Sequence, residues 1–279
     1  MRIGTMVHYY KDVDLKKRFK AVLELGMESC QLACWDPEIL SDLEYAKKAK
    51  EAAEETGIVI SHFWCGYGGN IVWNFYEGQK TLGLVPPFTR VDRVRDLLNG
   101  SEFAKILGVK YIITHVGYIP ENPYDPSYRP TIEAVKIIAE RCKKNGQSFL
   151  FETGQETPVT LRRAIQDVGY DNLGINLDGA NLVLYGKANP VDALDVFGEY
   201  VKGIHVKDGF YPTNGTELGR EVKVGEGKVN YPELIKKLVK TYGYDGDLTI
   251  EREIQEGSEE QHKDIVDTRD YLKNIISLL

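Results

Sequence analysis

The sequence predicts an α/β fold: a single (β/α)8 barrel over residues 1–279, with long loops after its third and seventh strands. Two observations carry this expectation. Short runs rich in β-branched and apolar residues alternate with longer stretches of helical periodicity, and eight such parallel units close a barrel. Helix after helix also ends at a glycine, with the next strand starting within a few residues. The 279-residue length fits a fold that takes roughly 250 residues.

Strands are predicted at 3–8, 29–35, 58–64, 111–116, 148–152, 173–178, 201–206 and 247–251. Amphipathic segments at 14–25, 42–56, 91–107, 130–144 and 231–242 read as helices. Gly26, Gly57, Gly108, Gly146 and Gly243 suit the left-handed residue that ends a helix. The first strand runs into Met6-Val7-His8-Tyr9-Tyr10 rather than a Gly-rich phosphate turn, which argues against an open doubly wound sheet. No Pro/Gly/Ser-rich linker divides the chain, so one domain is expected. Residues 66–90 and 209–229 form the two long loops. Loops beyond about 12–15 residues are usually lids or binding loops. Both follow strands and so belong on the C-terminal face, where barrel sites lie.

Composition excludes several classes of function. A formal charge of −7 leaves no basic footprint for nucleic acid. Apolar runs are too short for a membrane-spanning helix, and the N-terminal residues show no leader pattern, so a cytoplasmic protein is expected. The four cysteines, Cys30, Cys34, Cys65 and Cys142, form neither a CxxC pair nor a zinc-site spacing and read as buried thiols.

The chemistry lies at the ends of strands five to eight. Strand five ends at Glu152 and strand six at Asp178; strand seven contains His205 and strand eight ends at Glu251. Four consecutive strands then place three carboxylates and an imidazole around one arc of the barrel mouth. That mixed oxygen and nitrogen set suits one divalent metal ion, Mn²⁺ above all, with Mg²⁺ or Co²⁺ as alternatives. Without a cation the carboxylates would repel one another.

The segments Phe-Glu152-Thr-Gly-Gln, Asn-Leu-Asp178-Gly-Ala-Asn, Gly-Ile-His205-Val-Lys-Asp208, Gly225-Glu-Gly227-Lys and Leu-Thr-Ile-Glu251 resemble the sugar phosphate isomerase/epimerase family, a group of xylose isomerase-like TIM barrels. The resemblance covers essentially the whole chain. It implies that Glu152, Asp178, His205 and Glu251 are the metal ligands, and that the protein is a homodimer or homotetramer. Ketose epimerases of the group carry a histidine where this chain has Asn181, and an arginine before the Gly-x-Gly turn, for which Arg220 is the candidate. The DNA endonucleases of the group need ligands that this chain lacks.

Further candidates for binding substrate are His62 and His115, late in strands three and four, and Trp73 among the aromatics of the first long loop. His8 has a similar place with less support. Aromatic faces beside polar groups suit a sugar. The loop after strand eight, with Glu256, Glu259 and Glu260, is too acidic to favour phosphate, although Lys207, Arg220 and Lys223 could offset this. The expected activity is a metal-dependent isomerase or epimerase of a ketose or keto-sugar, with Glu152 and Glu251 moving protons through an enediolate. The alternative is a lyase or dehydratase acting by β-elimination on a keto-cyclitol or 3-keto-glycoside. A non-catalytic sugar-binding barrel is the third.

Overall fold

A computed structural model describes all residues, 1–279. Eight parallel strands form one closed sheet: β1 (Ile3–Tyr9), β2 (Ser29–Cys34), β3 (Val59–Cys65), β4 (Tyr111–Thr114), β5 (Ser148–Glu152), β6 (Leu173–Asp178), β7 (Val201–Val206) and β8 (Leu248–Ile250). Each pairs with the next, and β8 returns to β1 in the register Ile3↔Leu248, Gly4↔Thr249, Thr5↔Ile250. Closure leaves no sheet edge exposed.

The helices begin and end where local chemistry directs. Asp14 caps the helix Leu15–Glu24 by accepting from the Lys17 backbone N–H, and Asp42 caps Leu43–Thr56 by accepting from that of Glu44. All five glycines expected to end helices are left-handed, with φ between 66° and 78°. The predicted helix at 130–144 starts two residues earlier, as Tyr128–Lys144.

The two-residue period of the strands separates two environments. Outward residues such as Leu32, Phe63 and Phe149 join a cluster of 63 buried apolar residues. The opposite faces supply a small apolar patch of Ala33, Trp64, Ile113 and Leu150, with polar Gln31, His62 and Asn176 buried around it. Strand register shifts at Cys30/Gln31 and at Ile175/Asn176, beside two of these polar residues. Gly203 is required there: a Cβ would fall 2.4 Å from Asn176 Oδ1 and 2.9 Å from His62 Nε2. Arg2, ahead of β1, forms a two-pronged bond with Asp247, ahead of β8, at the opposite end of the barrel from the strand C-termini.

Both long loops are ordered by specific contacts. Residues 66–89 contain the short helix Gly78–Thr81 and wrap a fully buried Arg93. Its guanidinium donates to the carbonyls of Gly83 (2.7 Å), Asn70 (3.2 Å) and Gly68 (3.3 Å) and stacks on Tyr67. The second loop holds a two-stranded ribbon, Asp208–Gly209 against Glu221–Val222. The Asp208 carboxylate accepts backbone N–H groups from Gly209, Gly225, Gly227 and Val229, which fixes the Gly-x-Gly turn.

Candidate metal centre

Glu152 and Asp178 are the last residues of β5 and β6, His205 lies one residue before the end of β7, and Glu251 directly follows β8. One donor atom from each lies within 4.8 Å of the other three. Metal–ligand bonds of about 2.0–2.3 Å put the donors of one ion at most about 4.6 Å apart, so slight closure would bring all four onto one cation.

Supporting contacts orient each donor. Trp64 Nε1 and Asn176 Nδ2 both donate to Glu152 Oε2 at 2.9 Å, leaving Oε1 facing the cluster. The Asn181 backbone N–H donates to Asp178 Oδ1, capping the short helix Gly179–Leu184. His205 Nε2 lies 2.8 Å from Gln31 Oε1, an acceptor that holds the proton on Nε2 and turns Nδ1 towards the carboxylates. Nδ1 is 2.8 Å from Glu152 Oε1 and 3.3 Å from Glu251 Oε2, yet it makes no well-aligned hydrogen bond, and neither does Asp178 Oδ2. Two buried atoms of ligand type that face one point without a well-aligned hydrogen bond fit a divalent cation. The four residues thus form a possible metal-binding group.

Lys207 completes the electrostatics. Its ammonium is buried, 2.7 Å from Glu251 Oε2, 2.9 Å from Glu253 Oε2 and 3.0 Å from Asp178 Oδ2. Burial raises the Glu152 carboxyl, but Glu152 and Glu251 push the His205 imidazole well above its ordinary range, and in its charged form it prevails and holds Glu152 low. Glu251 likewise lies well below its ordinary range, because Lys207 and His205 outweigh burial. Burial dominates at Asp178 and pushes it up to about 8.

A cavity of about 300 Å³ opens above this cluster. Glu152, Glu251, Trp73, His115 and Asn181 line it, as expected from their strand ends and loop, and so does His8. Two other candidates lie elsewhere. His62 sits three residues before the end of β3, stacked on Tyr111, with Nε2 at the Lys202 carbonyl; burial lowers it to about 4. It is a neutral group inside the barrel and does not line the cavity. Arg220 is exposed, its guanidinium over the Phe210 ring, and it does not line the cavity. Lys207, named above only as a charge that could offset the acidic loop, and Glu253 also stand in the wall, each two residues beyond a ligand, where period two puts them on the same face.

No helix is long and apolar enough to cross a membrane. The chain matches an uncharacterized protein of Methanocaldococcus jannaschii at 28% identity over 201 residues, 68% of this chain and 63% of that protein's length. The crystal structure of a xylose isomerase domain protein from Planctomyces limnophilus superposes with a TM-score of 0.89 at 30% identity, over 99% of this chain and 98% of the other. A D-tagatose 3-epimerase-like protein superposes at 0.73 with 21% identity, over 100% and 98% of the two chains, a likeness of fold alone. Other structures sharing only the fold are named as sugar epimerases or, in one case, a probable dehydratase. The family model described as xylose isomerase-like TIM barrel matches residues 19–275, and the chain belongs to that family.

Proposed function

We propose that the chain acts as one barrel unit, a divalent-metal-dependent isomerase or epimerase of a ketose or keto-sugar, in which Glu152 and Glu251 carry protons. The observation that carries this reading is the pair itself: two ionised carboxylates, from β5 and from just beyond β8, reach the same imidazole nitrogen and line one cavity. When bound by Glu152, Asp178, His205 and Glu251, a divalent ion such as Mn²⁺ would supply Lewis-acid polarisation of a substrate carbonyl.

The chain's own groups then do the proton work. A carboxylate beside the carbon next to the carbonyl removes its proton, and the second carboxylate returns one from the other face, which inverts that carbon. If one carboxylate serves two neighbouring carbons, the outcome is isomerisation. Trp64 and Asn176 hold Glu152 in place, and Lys207 does so for Glu251. The sugar-epimerase names borne by structures of this fold agree with a sugar substrate.

The test is NMR in deuterated water with protein supplied with Mn²⁺, Mg²⁺ or Co²⁺ and a panel of ketoses and keto-glycosides. Deuterium should enter at the carbon next to the carbonyl without loss of water or aglycone. Such loss would instead establish β-elimination by the same carboxylates. Glu152→Gln and Glu251→Gln should each reduce exchange by about 10²–10⁴-fold. Full activity in both variants would end the two-carboxylate reading.

A further inference from the structure

One wall of the cavity holds polar atoms with nothing to bond. His115 Nδ1, the Tyr185 hydroxyl and both amide atoms of Gln155 are buried and make no well-aligned hydrogen bond, although the Gln155 amide and the Tyr185 hydroxyl face one another. They are close together. A Cβ built on Gly154 would lie 3.5 Å from His115 Cε1, 3.5 Å from Asn181 Cβ and 3.7 Å from Tyr185 Cδ2. His115, Asn181 and Tyr185 line the cavity, and the Gln155 amide lies beside the Tyr185 hydroxyl. Buried polar groups are nearly always paired, so a group of orphans in a cavity wall marks where a ligand's polar atoms belong. These are neutral donors and acceptors, and the Trp73 ring packs edge-on against His115 at 5.0 Å between centroids.

The charges around the cavity limit what can enter. Lys207 is the one lysine or arginine that lines it, and three carboxylates already hold its ammonium. Lys223 is bonded to Asp267 on the last helix, and Arg220 lies outside over Phe210. Glu253 adds a further carboxylate to the lining. Among the residues that line the cavity, no lysine or arginine is left without carboxylate partners to neutralise a phosphate or carboxylate on the ligand.

We propose that His115, Tyr185 and Gln155 form a hydroxyl-binding subsite, so that the cavity takes an uncharged sugar and discriminates against its phosphorylated counterpart. The proposal rests on the reading of the carboxylate centre as a sugar site. Tyr185 and His115 bond a hydroxyl remote from the reacting carbons, and Gln155 orients the Tyr185 hydroxyl. A site built to pair with a hydroxyl also loses affinity sharply when one member of the pair is removed.

The chain's three tryptophans, Trp35, Trp64 and Trp73, all line this cavity, so intrinsic fluorescence reports its occupancy. The probes are D-fructose, D-tagatose, D-psicose, D-sorbose, a methyl 3-keto-glucoside and the 6-phosphates of the first two, titrated into protein supplied with Mg²⁺. At least one free sugar should give a saturable change, and each 6-phosphate should bind at least about tenfold more weakly than its parent. Tyr185→Phe and Gln155→Leu should each raise Kd for the free sugar about tenfold. Tyr185→Phe should keep a single cooperative melting transition, because the ring and its packing against Phe75 and Tyr118 remain. The subsite is overturned by unchanged Kd in both variants, by 6-phosphates binding as tightly as their parents, or by no response to any free sugar. Deuterium exchange reports separately: exchange retained in Glu152→Gln and Glu251→Gln ends the proton-transfer reading while a Kd shift in Tyr185→Phe upholds the subsite.

Discussion

Gln31 and His205, 174 positions apart in the chain, meet across the barrel with Oε1 2.8 Å from Nε2. The amide oxygen accepts the Nε2 proton and so presents Nδ1 to Glu152, Asp178 and Glu251. Gln31→Leu removes that acceptor at nearly constant volume. We expect divalent-metal affinity to fall about 10–100-fold, as for other partners of ligating histidines, with the far-UV circular dichroism unchanged. Calorimetric titration with Mn²⁺ checks this, and unaltered affinity would show that Gln31 does not set the orientation of His205.

Lys207 makes a separate prediction about metal removal. Its ammonium faces Asp178, Glu251 and Glu253 in a buried setting. Lys207→Met leaves those carboxylates facing one another, and breaking a buried pair typically costs about 3–5 kcal/mol. A divalent cation supplies the missing charge. The melting temperature of the variant should therefore fall furthest below wild type in chelator and recover in excess Mn²⁺. Equal deficits in both conditions would rule out the shared electrostatic role.

The interior predicts two pH dependences of opposite sign. Burial lowers His62 to about 4 from an ordinary 6.5, so its contribution to stability is full above pH 6.5 and is lost as pH falls from there through 4. His62→Gln should flatten the loss of stability between pH 7 and pH 4.5. Burial raises Glu156 to about 8 from 4.5, so its contribution is full below pH 4.5 and is lost as pH rises through 8. Glu156→Gln should raise stability at pH 8.5 relative to wild type and change it less at pH 5. Urea denaturation at these pH values measures both, and parallel curves for variant and wild type would contradict either assignment.

Arg93 organises the first long loop through carbonyls rather than through an ion pair. Arg93→Leu leaves those buried carbonyls unpaired, at about 1–3 kcal/mol for each group left buried. Limited proteolysis should then cut within residues 66–89 while the barrel stays folded by circular dichroism. A cleavage rate equal to wild type would mean that Tyr67 and the backbone contacts hold the loop without the guanidinium.

The sequence by itself determined the barrel, the glycine-terminated helices and the four strand ends that carry ligand-type side chains. Each is a local pattern: a period of two, a left-handed glycine, a polar residue closing an apolar run. Period two would also have placed Lys207 and Glu253 beside His205 and Glu251, had it been carried past the strand ends. Tertiary structure alone decided depth and partnership. His62 and His115 look alike in the sequence, yet the former lies three residues inside β3 and the latter just beyond β4, which puts one in the barrel interior and the other in the cavity wall. Arg220 stays outside the cavity, exposed over Phe210, beside the ribbon in which Glu221 pairs with Gly209 and binds Arg252. The proximity of Gln155 to Tyr185, like that of Gln31 to His205, exists only once the sheet has closed, because closure brings together side chains that no local period relates.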